Sequence, residues 1–435
     1  MRSKHILYIS YDGMTDSLGQ SQVLPYLIEL TKKGYQFSLL SFEKEEKFEK
    51  NKEVIQKLCD QNTIKWHPKK YTKNPPILST IWDLFKMYVT TQKIHRQFPI
   101  DIIHCRSYQA ADIGLKMNKK YKIPWVFDMR GFWADERIDG NIWKMSNPLF
   151  KYIYKNYKKK EIKFLSNASQ IISLTENAKK EMLSWQQLES TPSYFKNKPL
   201  SIEVIPCCVD TELFNINSVN QQKVKELKNQ LNIEEDSFVL GYVGSIGTWY
   251  MLPEMLDFFK ILKTKKTKSI FVFITNESEE KIKSIAIQKG IDPNDIKVAS
   301  CLHKEVPTYI SLFDISTYFI LPAYSKKASS PTKQGELMAM GIPIVCNSNV
   351  GDADKVIAET KSGWVVSNFE EKEYEIIATK ILNEPLPDKY DIIQHGIREF
   401  NLESGAKKYS QTYLYIQKKK STSETISLKN SLQEK

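Results

Sequence analysis

The chain of 435 residues has few of the features that mark metal-binding, disulfide-bonded or membrane-spanning proteins. Its six cysteines form no C-x-x-C pair and its six histidines are scattered, which disfavours a zinc site or a disulfide framework and favours a reducing compartment. No apolar stretch approaches the roughly 18 residues that a membrane-spanning helix needs. The N-terminal MRSKHILYIS is predicted to form a strand and not a signal peptide. We therefore expect a cytoplasmic protein without a metal site.

Acidic residues are fewer than basic residues, 51 against 63, so the net charge is +12. A basic surface favours anionic partners such as nucleic acid, acidic lipid or phosphorylated substrates. The alternative is that a lysine-rich genome composition merely solvates the surface. The sequence contains no RNA- or DNA-binding motif, so nucleic acid is not expected as a partner.

The length exceeds what one hydrophobic core usually supports, which favours two domains of roughly 200 residues each. Short β-branched runs such as HILYIS alternate with amphipathic stretches such as SQVLPYLIELTKKG, and the alternation restarts at SFVLGYVGS. This pattern predicts the α/β class, with two doubly wound Rossmann-like domains that face a central cleft. We predict an N-terminal domain over 1–208, a C-terminal domain over 209–390, a helix over 391–417 that packs on the first domain, and a disordered tail over 418–435.

The stretch SSPTKQGELMAMGIPIV, residues 329–345, predicts a helix that begins with charged residues. Ser330 is the expected N-cap and Pro331 the first helical residue. Lys333 then lies in the first turn, with Glu336 one turn later on the same face, where a helix start binds anions and a carboxylate accepts hydrogen bonds from a ribose diol. The alternative is that Lys333 is solvated and pairs with Glu336. The apolar run after Glu336 favours a ligand, because a charge there is costly without a partner.

The stretch GELMAMGIPIVCNSNVGD, residues 335–352, resembles the nucleotide-sugar motif of the retaining GT-B glycosyltransferases of family 4. VIPCCVDTELF is similar to the interdomain linker of that family, and LGYVGSIGTWYMLPEML to the first strand and turn of its C-terminal domain. The resemblance covers most of the chain and implies the GT-B fold. It also implies transfer of a sugar from a UDP- or GDP-sugar to a surface-glycan or lipid-linked acceptor, with retention and without a cofactor.

The resemblance assigns residues of the second half to the nucleotide sugar. Glu336 matches the family's ribose-binding glutamate, whereas Ala328 stands at the place of the glutamate that contacts the donor sugar. The residues Ser330, Thr332 and Lys333 are similar to a variant helix start that holds the diphosphate, with Lys333 as a catalytic candidate. The family's basic pair after the first turn is replaced by Gly247, Thr248, Trp249 and Tyr250.

The turn GSIGT offers two interpretations. Gly244, Ser245 and Gly247 can bring backbone amides to a phosphate, or they form a plain connection between strand and helix. The spacing G-x-x-G-x-x-G is not a dinucleotide fingerprint. In the first half, Gly19 stands where the family has a Gly-Gly pair, and it either lets the backbone approach a ligand or lies in a flexible connector.

The stretch WVFDMRGFWADERIDG mixes charged and aromatic residues after a strand, as binding sites often do. Asp128 matches a family histidine that contacts the donor sugar, and Arg130 is a candidate for the acceptor or a phosphate. Both are candidate catalytic residues. His104 and Arg106 end another strand and are candidates for the same cleft. The alternative for the charges of WVFDMRGFWADERIDG is an internal network of ion pairs, and the alternative for His104 is a structural role.

The stretch LFKYIYKNYKKKEIKFL, residues 149–165, carries six lysines and apolar residues at helical spacing. It predicts either a surface helix whose apolar side is core, or a helix that binds the anionic inner face of the plasma membrane.

Two further functions remain open from the sequence. A nucleotide-sugar epimerase shares the two-domain fold and could use Asp128 and His104 as acid and base. A non-catalytic nucleotide-sugar-binding protein would explain the missing glutamate and basic pair.

Overall fold

A computed structural model describes the backbone of residues 4–433 and the side chains of residues 4–419. The chain divides into two compact units. The first unit contains the residues up to Pro206 together with those from Leu402 onward, and the second unit is Cys207–Asn401. The predicted boundary at residue 390 therefore falls inside a helix, Lys389–Phe400, that stays in the second unit.

The first unit is built on a seven-stranded sheet in the order β3-β2-β1-β4-β5-β6-β7, with every neighbouring pair parallel. Its strands are β1 His5–Ser10, β2 Gln36–Glu43, β3 Ile64–Lys70, β4 Ile102–Arg106, β5 Trp125–Met129, β6 Gln170–Ser173 and β7 Ile202–Val204. Its first nine helices are α1 Ser17–Gln22, α2 Leu24–Lys32, α3 Glu45–Gln61, α4 Leu78–Gln97, α5 Ser107–Tyr121, α6 Trp133–Asp139, α7 Pro148–Asn167, α8 Glu176–Ser184 and α9 Ser193–Lys196.

The second unit has a six-stranded parallel sheet in the order β10-β9-β8-β11-β12-β13. Its strands are β8 Phe238–Val243, β9 Ser269–Ile274, β10 Ile296–Ala299, β11 Ile315–Tyr318, β12 Ile344–Asn347 and β13 Gly363–Val366. Its helices are α10 Gln221–Gln230, α11 Leu252–Lys265, α12 Glu279–Gln288, α13 Val306–Ile310, α14 Thr332–Ala339, α15 Ala353–Thr360, α16 Glu371–Asn383 and α17 Lys389–Phe400.

The central strands are buried along their whole length, as β1, β5 and β9 show. Helices cover both faces of a doubly wound parallel sheet, so such strands are continuously apolar instead of alternating. The predicted fold class, α/β with two doubly wound Rossmann-like domains, is confirmed.

The last helix, α18 Leu402–Gln433, belongs to the first unit and packs against α2. The Tyr35 hydroxyl lies 3.0 Å from Ser410 Oγ, and Lys408 Nζ donates a hydrogen bond of 3.0 Å to the Val204 carbonyl. The predicted tail over 418–435 lies almost entirely outside the residues whose side chains are described.

All six cysteines are free thiols. Between residues 4 and 419, no three or more histidine, cysteine or acidic side chains are grouped so that they could hold a metal ion. In the same described part of the chain, no helix combines the length and the apolar character that crossing a bilayer requires.

Candidate active site

The start of α14 differs from the prediction that Ser330 caps the helix and Pro331 begins it. The backbone of Pro331 is extended and occupies the N-cap position, without a side-chain hydrogen bond to the helix, and the first helical residue is Thr332. Ser330 cannot cap, because its hydroxyl instead accepts a hydrogen bond of 3.1 Å from the Cys207 amide. The predicted cap is therefore wrong, and the N-cap residue Pro331 provides no side-chain acceptor to the first turn of α14.

Lys333, in that first turn, points into the second unit and is only 4% exposed. Its Nζ lies 4.0 Å from the ring centre of Tyr242 and 3.6 Å from that of Tyr250. Within residues 4–419 the ammonium has no hydrogen-bond partner. Burial lowers the pKa of Lys333 well below its usual value, and the nearby Glu336 carboxylate opposes this shift only in part. The side-chain amine therefore rests on two aromatic faces, and its burial disfavours the charged form.

Gly244 follows β8 directly and lies beside that ammonium. A Cβ atom at Gly244 would come within 3.4 Å of Lys333 Nζ, and the backbone φ of +109° also favours glycine. The missing side chain leaves room next to the cation. The Gly244 amide itself donates to the Ile274 carbonyl at 2.9 Å, so it is not available to a phosphate, contrary to one of the two predicted roles of this turn.

The rest of the turn is open on its outer side. The Ser245 carbonyl accepts a hydrogen bond of 2.7 Å from the Tyr242 hydroxyl, which fixes one of the two rings against Lys333. Gly247 is exposed, has a φ of +47°, and has no atom within 4 Å of the position that a Cβ would take. A Cβ would therefore meet no described atom at Gly247, whereas at Gly244 it would contact the end of the Lys333 side chain.

Glu336 lies one turn after Lys333 and its side chain is 14% exposed. His303 Nε2 is 4.0 Å from one of its carboxylate oxygens, which is beyond hydrogen-bond distance. Among the described residues no hydrogen bond holds this carboxylate, so both of its oxygens remain able to accept from a ligand.

A second lysine on an aromatic ring was not predicted from the sequence. Lys326, in the 3-10 helix Tyr324–Ala328, is buried, and its Nζ lies 3.5 Å from the ring centre of Trp249. Trp249 is fixed by pairing of its segment with residues 319–321, where the Leu321 amide donates to the Trp249 carbonyl at 2.9 Å. Trp249 and Tyr250 stand where the family has its basic pair. The amine of Lys326 lies over the Trp249 ring, and that of Lys333 lies over the Tyr250 ring. Both lysines belong to the stretch KKASSPTK, residues 326–333, and this cluster of basic residues is the sequence feature that could have indicated them.

The first unit contains a different cluster, at the carboxyl ends of β4 and β5. His104 and Asp128 are fully buried, and His104 Nε2 lies 3.2 Å from Asp128 Oδ2. The Tyr413 hydroxyl is 2.8 Å from His104 Nδ1, and the Tyr409 hydroxyl donates to Asp128 Oδ2 at 3.3 Å. Both tyrosines come from α18. The predicted alternative of an internal network therefore describes this pair of residues.

The electrostatics of this cluster favour the ionised carboxylate. Burial alone would raise the pKa of Asp128, but the Arg130 guanidinium and the hydrogen bond from His104 outweigh it and lower the pKa to about 2. Burial lowers the pKa of His104, against the opposing effect of Asp128. Asp128 is therefore a buried anion that Arg130, 3.7 Å away, and two hydrogen-bond donors stabilise.

Two arginines flank this network. Arg130 Nη1 lies 3.5 Å from the Tyr409 hydroxyl, and Arg106 Nε donates to Asp12 Oδ2 at 3.4 Å. Arg106 is buried, and its Nη1 has no hydrogen-bond partner in the described part of the chain. Arg106 thus retains donor capacity that no described residue uses.

Gly19 lies in α1 and packs against the preceding loop. A Cβ there would come within 2.3 Å of the Gly13 carbonyl oxygen, so close packing alone accounts for the glycine. The predicted site residues therefore fall into two groups. Ser330, Thr332, Lys333 and Glu336 gather with the turn at Gly244 in the second unit, and His104, Arg106, Asp128 and Arg130 gather in the first.

Comparison with known protein families identifies two matching segments of the chain. The family model of Glycosyltransferase Family 4 matches residues 22–213, and the model of Glycosyl transferases group 1 matches residues 223–399. No curated protein sequence matches the chain.

Solved structures of related fold cover almost the whole chain. A sucrose-phosphate synthase from Thermosynechococcus elongatus is 13% identical with a TM-score of 0.67, over 94% of this chain and 98% of that one. A glycosyltransferase from Rickettsia africae is 15% identical with a TM-score of 0.66, over 96% and 100%. A UDP-GlcNAc 2-epimerase from Neisseria meningitidis, bound to UDP-GlcNAc, is 13% identical with a TM-score of 0.55, over 95% and 99%. At these identities the likeness shows the fold alone, whereas the two family models together account for most of the sequence. The chain belongs to the GT-B glycosyltransferases.

Proposed function

We propose that the protein transfers a sugar from a UDP- or GDP-sugar to a surface-glycan or lipid-linked acceptor, with retention of the anomeric configuration. The observation that carries this proposal is the buried amine of Lys333, which has no hydrogen-bond partner among residues 4–419 and lies beside Gly244. An unpaired buried charge costs several kcal/mol of stability, by order of magnitude. A ligand anion in that space supplies the missing partner, and a diphosphate is the anion that this family's donors carry.

Lys333 and the start of α14 act on the leaving group. As the bond from the anomeric carbon to the diphosphate oxygen breaks, its electron pair moves to the diphosphate and negative charge grows there. The ammonium and the uncapped helix start stabilise that charge more in the transition state than in the bound donor. The acceptor hydroxyl oxygen forms the new bond on the same face of the sugar, and its proton passes to the departing diphosphate.

Glu336 binds the donor ribose in this proposal. Its two carboxylate oxygens carry no hydrogen bond within the described residues, and a ribose diol offers two donors. A charge-assisted hydrogen bond of this kind contributes about 1.5–3 kcal/mol.

The first unit supplies the acceptor side. Arg106 has an unused buried donor that suits an acceptor phosphate or hydroxyl. Asp128 was expected to be catalytic, but its carboxylate is engaged by His104, Tyr409 and Arg130. We therefore propose that Asp128 positions Arg130 and does not itself touch the sugar. The same engagement disfavours the epimerase alternative, which needs His104 and Asp128 free as acid and base.

Titration calorimetry with UDP, GDP, UMP and GMP tests the donor site. Wild type should bind one diphosphate more tightly than its monophosphate. Lys333→Met should remove that difference, and Glu336→Ala should weaken every nucleotide about tenfold to a hundredfold. Lys263→Met is the matched control, since Lys263 also lies on a helix of the second unit but pairs with Asp295 at 2.6 Å.

Two results would contradict the proposal: equal affinity of wild type for diphosphate and monophosphate, or unchanged affinity in both site variants. Turnover of the sugar nucleotide is then followed by NMR with and without an acceptor. Conversion of the donor to an epimer without an acceptor would establish the epimerase alternative, and no turnover at all would establish the binding protein.

A further inference from the structure

Helix α4 exposes apolar side chains of the kind that an ordinary surface helix buries. Its first turns expose four large apolar side chains at helical spacing, Leu78, Ile81, Trp82 and Phe85, whose exposed fractions are 64%, 58%, 53% and 56%. The rings of Trp82 and Phe85 stack on each other, with their centres 5.6 Å apart. A surface helix normally turns such a stripe toward the core. No side chain among residues 4–419 therefore covers the apolar face of α4.

The opposite face of α4 is buried and partly polar, which fixes this orientation. Asp83 is fully buried and accepts hydrogen bonds from the Tyr11 hydroxyl at 2.9 Å and from the Thr72 amide at 3.0 Å. Lys86 Nζ lies 2.7 Å from its other oxygen. Rotation of the helix would break this set of contacts and leave a buried carboxylate without partners. The exposed stripe is thus held outward by the fold.

A second exposed apolar group lies around the start of α7. Ile142, Met145, Leu149 and Tyr152 are exposed, whereas Phe164 near the other end of the helix is buried. The large apolar side chains of the predicted membrane-binding face over residues 149–165 are therefore exposed only at its beginning. Lys158 and Lys160, which that prediction included, form ion pairs within the unit: Lys158 with Asp135 at 2.9 Å and with Glu161, and Lys160 with Asp112 at 3.1 Å.

The two apolar groups lie at the same edge of the first unit's sheet. Helix α5 packs against both α4 and α7, so the three helices share one face of the sheet. Each of α4 and α7 leads back from the carboxyl edge to the start of the next strand, so its N-terminal turn lies at the carboxyl edge. That is the edge at which doubly wound sheets bind their ligands.

The net positive charge of the chain lies in two segments, which contain α4 and the start of α7. Residues 63–97 contain seven basic residues and one acidic residue, and residues 140–160 contain six basic residues and no acidic one. Together they account for the net charge of +12, and the remainder of the chain is neutral. The one acid, Asp83, is buried against Lys86. The segments with uncovered apolar side chains are therefore also the basic ones, and Lys73, Lys144, Lys151, Lys155 and Lys159 are exposed there.

We propose that this surface, formed by the first turns of α4 and by residues 142–152, docks on an anionic lipid bilayer. Tryptophan, phenylalanine and isoleucine enter the headgroup boundary, and the exposed lysines contact acidic headgroups. The docking would hold the carboxyl edge of the first unit at the lipid surface, where a lipid-linked acceptor is found. It follows from exposed side chains and charge alone, so it is tested without a donor sugar and independently of the transferase reaction.

The test is co-sedimentation of the full chain with vesicles of phosphatidylcholine, with and without phosphatidylglycerol. Wild type should sediment only with the acidic vesicles and should be released when salt rises from about 0.1 M to about 1 M. The double variant Trp82→Ser/Phe85→Ser should bind at least about tenfold more weakly, because each buried aromatic side chain contributes that much or more. Lys151→Glu/Lys155→Glu should weaken binding to acidic vesicles as well.

Matched controls come from the second unit, with unfolding curves to show that every variant folds. Ile287→Ser/Tyr390→Ser removes equally exposed apolar side chains, and Lys223→Glu/Lys225→Glu reverses equally exposed lysines. Neither control should change sedimentation. Binding that is equal for the α4 variant and its control would overturn the proposal. So would a wild-type dimer that Trp82→Ser/Phe85→Ser converts to a monomer without any vesicle binding, because a second copy of the chain would then cover the face.

Discussion

Both units bury charged side chains at the carboxyl ends of central strands, but they treat those charges in opposite ways. In the first unit, Asp128 is held by His104, Tyr409 and Arg130, and its pKa falls to about 2. In the second unit, Lys333 rests on two tyrosine rings without a hydrogen bond in the described residues, and burial lowers its pKa. The buried carboxylate has charged and hydrogen-bonding partners that help to hold the unit together, whereas the buried amine has none among the described residues and is the basis of the proposed diphosphate site.

The largest loss of stability is expected when the hydrogen-bond and ion-pair network around Asp128 is broken. Asp128→Ala leaves Arg130 and His104 buried without their common acceptor, and breaking a buried pair from one side costs about 3–5 kcal/mol. The measurement is urea unfolding of the first unit. Asp112→Ala is the control, because its carboxylate pairs with Lys116 and Lys160 near the surface and should cost at most about 1 kcal/mol.

If Asp128→Ala unfolded at the same urea concentration as wild type and instead lost sugar transfer, Asp128 would be catalytic and the contrast between the two units would fail.

The second effect concerns protonation of Lys333. Because its pKa is lowered in the free protein, a bound diphosphate, which favours the charged ammonium, must raise that pKa. Binding should therefore take up protons, and affinity should fall as pH rises above the lowered pKa. Calorimetry in buffers of different ionisation enthalpy measures the uptake. Lys333→Met should abolish it, and Lys263→Met should leave it unchanged.

The lowered pKa of Lys333 also makes the stability of the ligand-free protein depend on pH. A base with a lowered pKa in the folded state binds fewer protons than in the unfolded state, so its contribution to stability rises with pH between the folded and unfolded values. Lys333→Met should remove this dependence. Proton uptake that persists in the variant would assign it to another group.

The smallest effect is expected at the edge of the network. Tyr413→Phe removes one hydroxyl from His104 Nδ1, which should cost about 0.5–1.5 kcal/mol. Hydrogen exchange should be faster in α18 and unchanged in the second unit. Tyr415→Phe, on the exposed side of the same helix, serves as the control. Equal exchange rates in both variants would show that the Tyr413 hydroxyl does not hold α18.

The sequence allowed the fold class to be predicted, because alternation of buried strands and amphipathic helices is a local signal. It also indicated α14 and the pair Lys333 and Glu336. It did not predict that Ser330 would bond to Cys207, more than a hundred residues earlier, or that Tyr409 and Tyr413 would meet Asp128 and His104. Those contacts depend on how segments distant in sequence pack together, and the local hydrophobic periodicity of a sequence does not predict such packing. Burial of Lys333 was likewise hidden, since its sequence neighbours are polar.

The return of α18 to the first unit has a consequence for synthesis of the protein. The second unit is an uninterrupted segment, and its ends are held together, since the Val209 amide donates to the Phe400 carbonyl at 2.7 Å. The ribosome therefore synthesises every part of the second unit before Tyr409 and Tyr413. The half that is synthesised first waits for α18, and His104 and Asp128 lack their tyrosine partners until that helix is made. The unit begun first is completed last.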